Sequence, residues 1–362
     1  MTDVFDQCIL VTGGAGFIGS CFLENWVMKF PNIQFTCIDK LNYVSDHSTK
    51  YISNLLKLPN FNFVQKDLAI EFKYLHSLLV EDYEINRITG IINFAAESSV
   101  DRSFTSPLDF TQNNIISSHN LFECARLLLE KYPEVRNKFK FLHVSTDEVY
   151  GEQALREHVA ECSNLKPTNP YAATKAAIDM IAQSYIYSFH LPITIIRSNN
   201  VYGPNQYKEK LIPMVLDKLQ RYENQLEAKE PITEKITIHG NGTNKRTYIH
   251  VQDLIAAIEI LWMKMDDDLE SGSRKVLTQT YNIGTTDEID NLSLVEYICD
   301  IYFAQRLPSL DVDYNSLITF VKDRNYNDSR YALNFDKMTE LGWKPSIKLT
   351  DGIKQLVTDL KS

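Results

Sequence analysis

Tyr171 and Lys175 stand four residues apart in the run Pro170-Tyr171-Ala172-Ala173-Thr174-Lys175. That spacing puts a phenol and an amine one turn apart on the same face of a helix. A free tyrosine titrates near ~10 and is a poor base at neutral pH. A neighbouring cation favours the phenolate, so the pair can take a proton from an alcohol while hydride leaves its carbon. Upstream, Ser145-Thr146-Asp147-Glu148-Val149-Tyr150-Gly151 follows the apolar stretch Phe139 to Val144. Thr146 supplies a hydroxyl for the same alcohol, and Asp147 and Glu148 are adjacent carboxylates. Simple hydride transfer needs neither acid. Elimination of water needs both, a base for the carbon acid and an acid for the departing hydroxyl. Together these groups suffice to oxidise, dehydrate and reduce one substrate. The bland alternatives are a helix surface pair for Tyr171 and Lys175 and a capped loop for Asp147 and Glu148, so the surrounding elements must decide.

Those elements begin with Thr12-Gly13-Gly14-Ala15-Gly16-Phe17-Ile18-Gly19, directly after the apolar run Gln7 to Thr12 and before a helix-length segment, Ala15 to Phe30. Gly13 allows a tight turn, Gly16 lets a pyrophosphate approach the helix N-terminus, and Gly19 lets the helix pack close to the sheet. Asp39 lies 20 residues beyond Gly19, at the end of the next strand. A carboxylate there binds a ribose diol and repels a 2′-phosphate, which favours NAD over NADP. Asp67, after a third strand, either reaches the adenine edge or caps the next helix. Ala95 and Ala96 close a fourth strand with small side chains that leave room for a dinucleotide.

Strands expected at 7–12, 33–38, 61–65, 90–95, 139–145 and 193–197 alternate with helices at 15–30, 72–80, 110–131 and 170–189. This alternation predicts an α/β fold, a Rossmann-type doubly wound parallel sheet. Beyond residue 198 short strands (236–239 and 280–283) alternate with helices (251–263, 292–304 and 336–341). They predict a smaller C-terminal α/β lobe that holds substrate. The division is thus 1–198 for the cofactor and catalytic residues and 199–362 mainly for substrate, with room for segments that return to the sheet. The charged stretches Arg221 to Lys235 and Lys264 to Lys275 read as surface loops or ragged helix ends.

A 362-residue chain with 44% apolar and 23% charged residues has the makings of a globular core, and its net charge of −10 argues against a generic nucleic-acid or membrane surface. Six scattered cysteines without paired spacing read as reduced thiols, with no metal site. No signal peptide precedes the first strand and no apolar run approaches the ~20 residues of a membrane span, so a cytoplasmic location is expected.

Thr12–Gly19, Ala95–Ser103, Ser145–Gly151, Asn169-Pro170-Tyr171 with Lys175, Asn199–Pro204, Glu209–Pro213 and Asp328–Tyr331 together resemble the nucleoside-diphosphate-glucose 4,6-dehydratases. These are extended short-chain dehydrogenases/reductases, and the likeness spans nearly the whole chain. It implies a cycle with recycled NAD: Tyr171 deprotonates the glucose 4-hydroxyl as hydride leaves C4, Glu148 removes the C5 proton, Asp147 protonates the departing C6 hydroxyl, and hydride returns to C6. Gly13, Gly16, Phe17, Ile18, Gly19, Asp39, Asp67, Ala95, Ala96, Tyr171 and Lys175 would then hold NAD. Ser99, Asn200, Lys210, Leu211, Arg246 and Arg330 would hold the sugar nucleotide; by residue type alone the two arginines read rather as surface side chains. The resemblance also implies a homodimer formed through the 110–131 and 170–189 helices. Ser99 stands where bacterial dTDP-glucose enzymes usually carry His, and the choice between dTDP-glucose and UDP-glucose stays open, with dTDP-glucose favoured.

Overall fold

The computed structural model describes residues 5, 7–154, 158–273, 276–310 and 313–360. Arg274 and Lys275, the end of one charged stretch read from the sequence, lie outside the described residues. The strands in chain order are β1 (Gln7–Thr12), β2 (Ile33–Asp39), β3 (Phe61–Gln65), β4 (Ile88–Asn93), β5 (Lys140–Thr146), β6 (Ile193–Ser198), β7 (Asn200–Tyr202), β8 (Ile236–His239), β9 (Lys245–His250), β10 (Thr280–Ile283), β11 (Glu288–Asp290) and β12 (Ile318–Val321).

Seven of these form one parallel sheet in the order β10-β6-β5-β4-β1-β2-β3. Residues of β4, β5 and β6 are buried throughout, as strands covered by helices on both faces must be. One face packs the Phe17–Lys29 and Val251–Ser271 helices, whose Trp26 and Trp262 rings meet edge to face at 6.1 Å. The other packs the Ser117–Lys131 and Pro170–Phe189 helices through Leu121, Leu128, Ile178 and Ala182. The expected doubly wound sheet is present. A smaller lobe carries β7, β9 and β11 in one sheet and β8 with β12 in another. Its own core draws on the Leu211–Glu227, Asn291–Arg306 and Leu349–Asp359 helices.

Several elements differ from the sequence expectation, each for a physical reason. β10 does not belong to the smaller lobe but pairs with β6 and extends the large sheet, so the chain returns to the first layer after residue 250. The helix expected to end at Met263 runs to Ser271, because Met265 and Asp268 are buried beneath its charged outer face and Gly272 ends it in the left-handed conformation. The Leu211–Glu227 helix likewise carries part of the first charged stretch on its outer side. β4 stops at Asn93 rather than Ala95. The Asn93 carboxamide accepts from Ala95 N at 3.2 Å and from Thr12 Oγ1 at 2.7 Å, which turns the chain out of the sheet. Instead of one regular helix from Phe110, residues Thr111–Ile116 form a π-helical turn before Ser117–Lys131. π-turns re-aim side chains at functional sites. Here Asn114 accepts from Glu97 N (2.7 Å) and donates to Glu97 O (3.0 Å), fixing the loop that leaves β4.

Candidate active site

The strand order reverses between β1 and β4, and open α/β sheets bind ligands at the carboxyl ends of strands at such a point. A cleft of about 500 Å³ opens there, between the sheet and the smaller lobe.

At its cofactor end the chain turns at Gly13, with φ +71°, and a β-carbon on Gly13 would stand 2.6 Å from Ala95 N. A β-carbon on Gly19 would stand 2.4 Å from Gly13 O. Only glycine brings the turn, the β4 loop and the helix this close. The Phe17–Lys29 helix begins with no acidic residue in its first turn and no side-chain cap, leaving its amides open to an anion. Asp39 accepts from Ala15 N (3.0 Å) and Leu41 N (2.8 Å) and lies on the cleft wall. Burial raises its carboxyl above the ordinary value, and those two amides pull the other way. Asp67 also lines the cleft, where its carboxylate accepts from Ala69 N at 2.9 Å within the turn after β3. It does not cap the next helix, Phe72–His76, which begins after Glu71 without a side-chain cap. Gly16, Phe17, Ile18, Ala95 and Ala96 complete this end. An open helix terminus, a carboxylate one strand away and a wall of small residues fit a dinucleotide.

At the centre, Asn169 caps the Pro170–Phe189 helix by accepting from Ala172 N at 2.8 Å, and Pro170 takes the first helical position. Tyr171 therefore projects from the first turn into the cleft. Lys175 follows one turn on, fully buried, with Nζ donating to Val144 O at 2.7 Å. Burial pulls its ammonium down to about 8, against the pull of Asp179 on the same helix. Burial drives the Tyr171 phenol well above its ordinary value. Glu148 pushes the same way, and a hydrogen bond with Thr146 opposes both.

Thr146 ends β5, and the next turn carries the two carboxylates. Glu148 lies on the wall and accepts from Asn169 Nδ2 at 2.9 Å. One amide thus caps the tyrosine helix and aims the carboxylate. Asp147 sits one layer behind the wall, 1% exposed. Burial raises its carboxyl to about 7, opposed by hydrogen bonds from Asn199 and Thr146 and by Arg246, and reinforced by Glu148. The five residues expected to do chemistry are brought together, but only four face the cleft.

The remaining wall comes from the smaller lobe. Lys210 reaches across to Ser98 O at 2.6 Å, and the Leu211–Glu227 helix that follows it also starts without a side-chain cap or an acidic residue. Leu211, Asn200 and Ser99 line the cleft, Ser99 also accepting from Arg102 N at 3.5 Å. Arg246 does so too, with its guanidinium 4.7 Å over the Tyr331 ring and donating to Asn327 Oδ1 at 3.2 Å. Arg330 corrects the expectation. It is buried away from the cleft, with Nε 2.5 Å from Glu288 Oε2 and Nη1 donating to Ala154 O at 2.9 Å. Its chain neighbours Asp328 and Tyr331 line the cleft instead. Sequence reading named Asn169 and Asn199 only within motifs, with no role in the site, and did not name Arg324. The Asn-Pro pair before Tyr171 is an N-terminal helix signal for the first. Arg324, which forks onto both Asp101 oxygens at 2.7 and 2.9 Å across the cleft mouth, carried no signal.

The model of the GDP-mannose 4,6 dehydratase family matches residues 10–356. This chain belongs to that family. An uncharacterized protein of Schizosaccharomyces pombe is 55% identical over 352 residues, covering 97% of this chain and 96% of that protein. A trifunctional UDP-glucose 4,6-dehydratase/UDP-4-keto-6-deoxy-D-glucose 3,5-epimerase/UDP-4-keto-L-rhamnose-reductase of Arabidopsis thaliana is 36% identical over 96% of this chain, which spans 46% of that protein. The crystal structure of dTDP-glucose 4,6-dehydratase from Bacillus anthracis in complex with NAD superposes with a TM-score of 0.76 at 31% identity, covering 97% of this chain and 96% of the other. The family's members are nucleoside-diphosphate-sugar dehydratases, and the seven-stranded sheet with its smaller lobe is their architecture. Among the described residues no helix is long and apolar enough to cross a membrane, and no group of His, Cys, Asp and Glu is placed to hold a metal ion.

Proposed function

We propose that this chain converts dTDP-glucose to dTDP-4-keto-6-deoxyglucose with NAD as an internally recycled cofactor. The observation that carries the reading is the joint placement of Tyr171, Lys175, Thr146, Glu148 and Asp147 around one cleft end, an acid and a base beyond what hydride transfer uses. NAD, when bound, supplies a reversible hydride acceptor for C4 and then C6. Gly13, Gly16, Phe17, Ile18, Gly19, Asp39, Asp67, Ala95, Ala96, Tyr171 and Lys175 would hold it. Tyr171 takes the 4-hydroxyl proton. Its burial and the facing carboxylates oppose the phenolate, so it is a base only when cationic charge enters the site, and Lys175 contributes part of that charge. Thr146 orients the same hydroxyl. Glu148, held by Asn169, takes the C5 proton once C4 is a ketone. Asp147, which burial keeps about half protonated near neutrality, supplies the proton to the departing C6 hydroxyl. Ser99, Asn200, Lys210, Leu211 and Arg246 bind the sugar nucleotide. The diphosphate suits the open amides at Leu211 and the planar guanidinium of Arg246.

UDP-glucose is the second reading, supported by the identity to the Arabidopsis protein. A homodimer and a cytoplasmic setting belong to the same proposal. Met180 and Tyr187, 55% and 79% exposed on the Pro170–Phe189 helix, give that helix an uncovered apolar side suited to a second copy. The test is turnover of purified protein on dTDP-glucose and UDP-glucose separately, read by mass spectrometry. A product lighter by one water establishes dehydration, and the rate ratio assigns the base. Unchanged mass together with interconversion at C4 would replace this reading with a 4-epimerase, which needs only Tyr171, Lys175 and Thr146.

A further inference from the structure

We propose that Asn199 is the positioning residue of the proton donor: its amide engages one oxygen of Asp147, so that the proton rides on the other, which faces Thr146 at the cleft wall. The inference rests on the dehydratase reading for its catalytic meaning, and on geometry alone for the placement of the proton.

Asn199 follows β6 and is 2% exposed. Its backbone N donates to Ile283 O at 3.1 Å, tying it to the end of β10. Its side-chain Oδ1 accepts from Thr285 N at 3.3 Å. A backbone N–H can only donate, so this contact sets which end of the carboxamide is oxygen. The nitrogen must then face Asp147, and Nδ2 donates to Asp147 Oδ2 at 2.7 Å. The fit is tight, because a β-carbon on Gly284 would stand 2.1 Å from Asn199 Oδ1. The other carboxyl oxygen, Asp147 Oδ1, lies 3.2 Å from Thr146 Oγ1, and Thr146 lines the cleft whereas Asp147 does not.

A carboxylic acid carries one proton. Thr146 Oγ1 donates to Oδ1 at 3.2 Å, but a hydroxyl can turn and accept whereas the Asn199 N–H can only donate to Oδ2, so the proton belongs on Oδ1, the oxygen on the substrate side. In the dehydration that proton leaves Oδ1 for the C6 hydroxyl as the C6–O bond breaks and Glu148 takes the C5 hydrogen as a proton, and water departs. The charge left on Asp147 is stabilised by the same Asn199 N–H. Glu148 returns its proton to C5, and the proton Tyr171 took at C4 balances the one Asp147 gave up. The charged and titratable groups facing Asp147 are Glu148 on its own turn, Tyr171 on the Pro170–Phe189 helix and Arg246 on β9. All three stay in place when Asn199 is changed.

The experiment uses the full chain with NAD bound. The infrared carboxyl band of Asp147, assigned by its loss in Asp147→Asn, is titrated in the unchanged protein, in Asn199→Leu and in Gly284→Ala, which keeps the amide but displaces it. Because the Asn199 N–H favours the ionised form, the midpoint is expected to rise in both variants. Dehydration kcat is expected to fall by roughly tenfold to a hundredfold, part of what a general acid contributes, with KM little changed and the alkaline limb of the pH profile moved upward. A midpoint that stays put in both variants overturns the proposal, as does a rise in KM with kcat and pH limb unchanged, which would make Asn199 a substrate contact. The band needs no turnover. A shifted midpoint in a protein that releases no water would keep the positioning role and remove the dehydratase reading. Should Asn199→Leu fail to fold, Gly284→Ala decides.

Discussion

Replacing Asp147 by Asn should make this protein more stable at neutral and alkaline pH while crippling water elimination. The Asp147 carboxyl moves from an ordinary value of 3.8 to about 7, chiefly through burial. A folded-state pKa raised above the unfolded one leaves stability intact at low pH and removes it as pH rises. Well below the unfolded value of 3.8 the two states bind almost equal protons, and by about pH 4 the unfolded chain has already released roughly half of its own. As pH climbs, the unfolded chain ionises freely while the folded chain must strip a buried acid. At 1.36 kcal/mol per unit the loss levels off above pH 7 at about 4 kcal/mol. Asparagine keeps the shape and an oxygen that accepts from Asn199, and it does not titrate, so Asp147→Asn should escape that loss. With an unfolding entropy of ~2.1 cal/mol/K per residue, about 4 kcal/mol corresponds to a Tm gap of roughly 5 °C. The assay is thermal unfolding of both proteins at saturating NAD across about pH 4 to pH 8. The gap should be small at the acid end and should open toward the alkaline end. A gap that does not change with pH, or a variant less stable at the alkaline end, would refute the assignment of Asp147 as a buried, proton-bearing acid. Water elimination should meanwhile drop by on the order of 10²-fold or more.

Four further outcomes follow from the same geometry. Glu148→Gln should still oxidise C4, seen as NADH absorbance when nucleoside-diphosphate glucose is added, yet lose water elimination by about 10²-fold or more, read by mass spectrometry. Arg246→Ala should raise KM for the sugar nucleotide about tenfold, from loss of a charge-assisted phosphate contact of ~1.5 kcal/mol, in steady-state assays. Arg330→Ala should leave KM within about twofold and lower Tm instead, because it strips Glu288 of a buried partner. Gly13→Ala should abolish NAD retention through purification, measured by cofactor release on denaturation, since its β-carbon meets the Ala95 backbone at 2.6 Å.

The sequence by itself determined the elements whose signal is local. The alternation of apolar strands and helices made the parallel sheet legible. The glycines at 13, 16 and 19 and Asp39 announced the cofactor end, and Tyr171 with Lys175 and the Asp147-Glu148 pair announced the chemistry. Each of these is read from residues within one element or from a fixed spacing between neighbouring elements. Only the tertiary structure decided contacts between distant segments. The return of β10 to β6, the Thr12–Asn93 hydrogen bond at the end of β4 and the π-turn that brings Asn114 to Glu97 join residues many positions apart. The same holds for the finer division of labour in the site. Glu148 and Asp147 are neighbours in sequence, but successive side chains leave a turn in different directions. One therefore reaches the cleft under Asn169 while the other is buried under Asn199. Arg246 and Arg330 look alike as isolated arginines, and only the fold turns the second toward Glu288. Residue type states which proton can move, whereas burial and the donors packed around each oxygen state at what pH and in which direction.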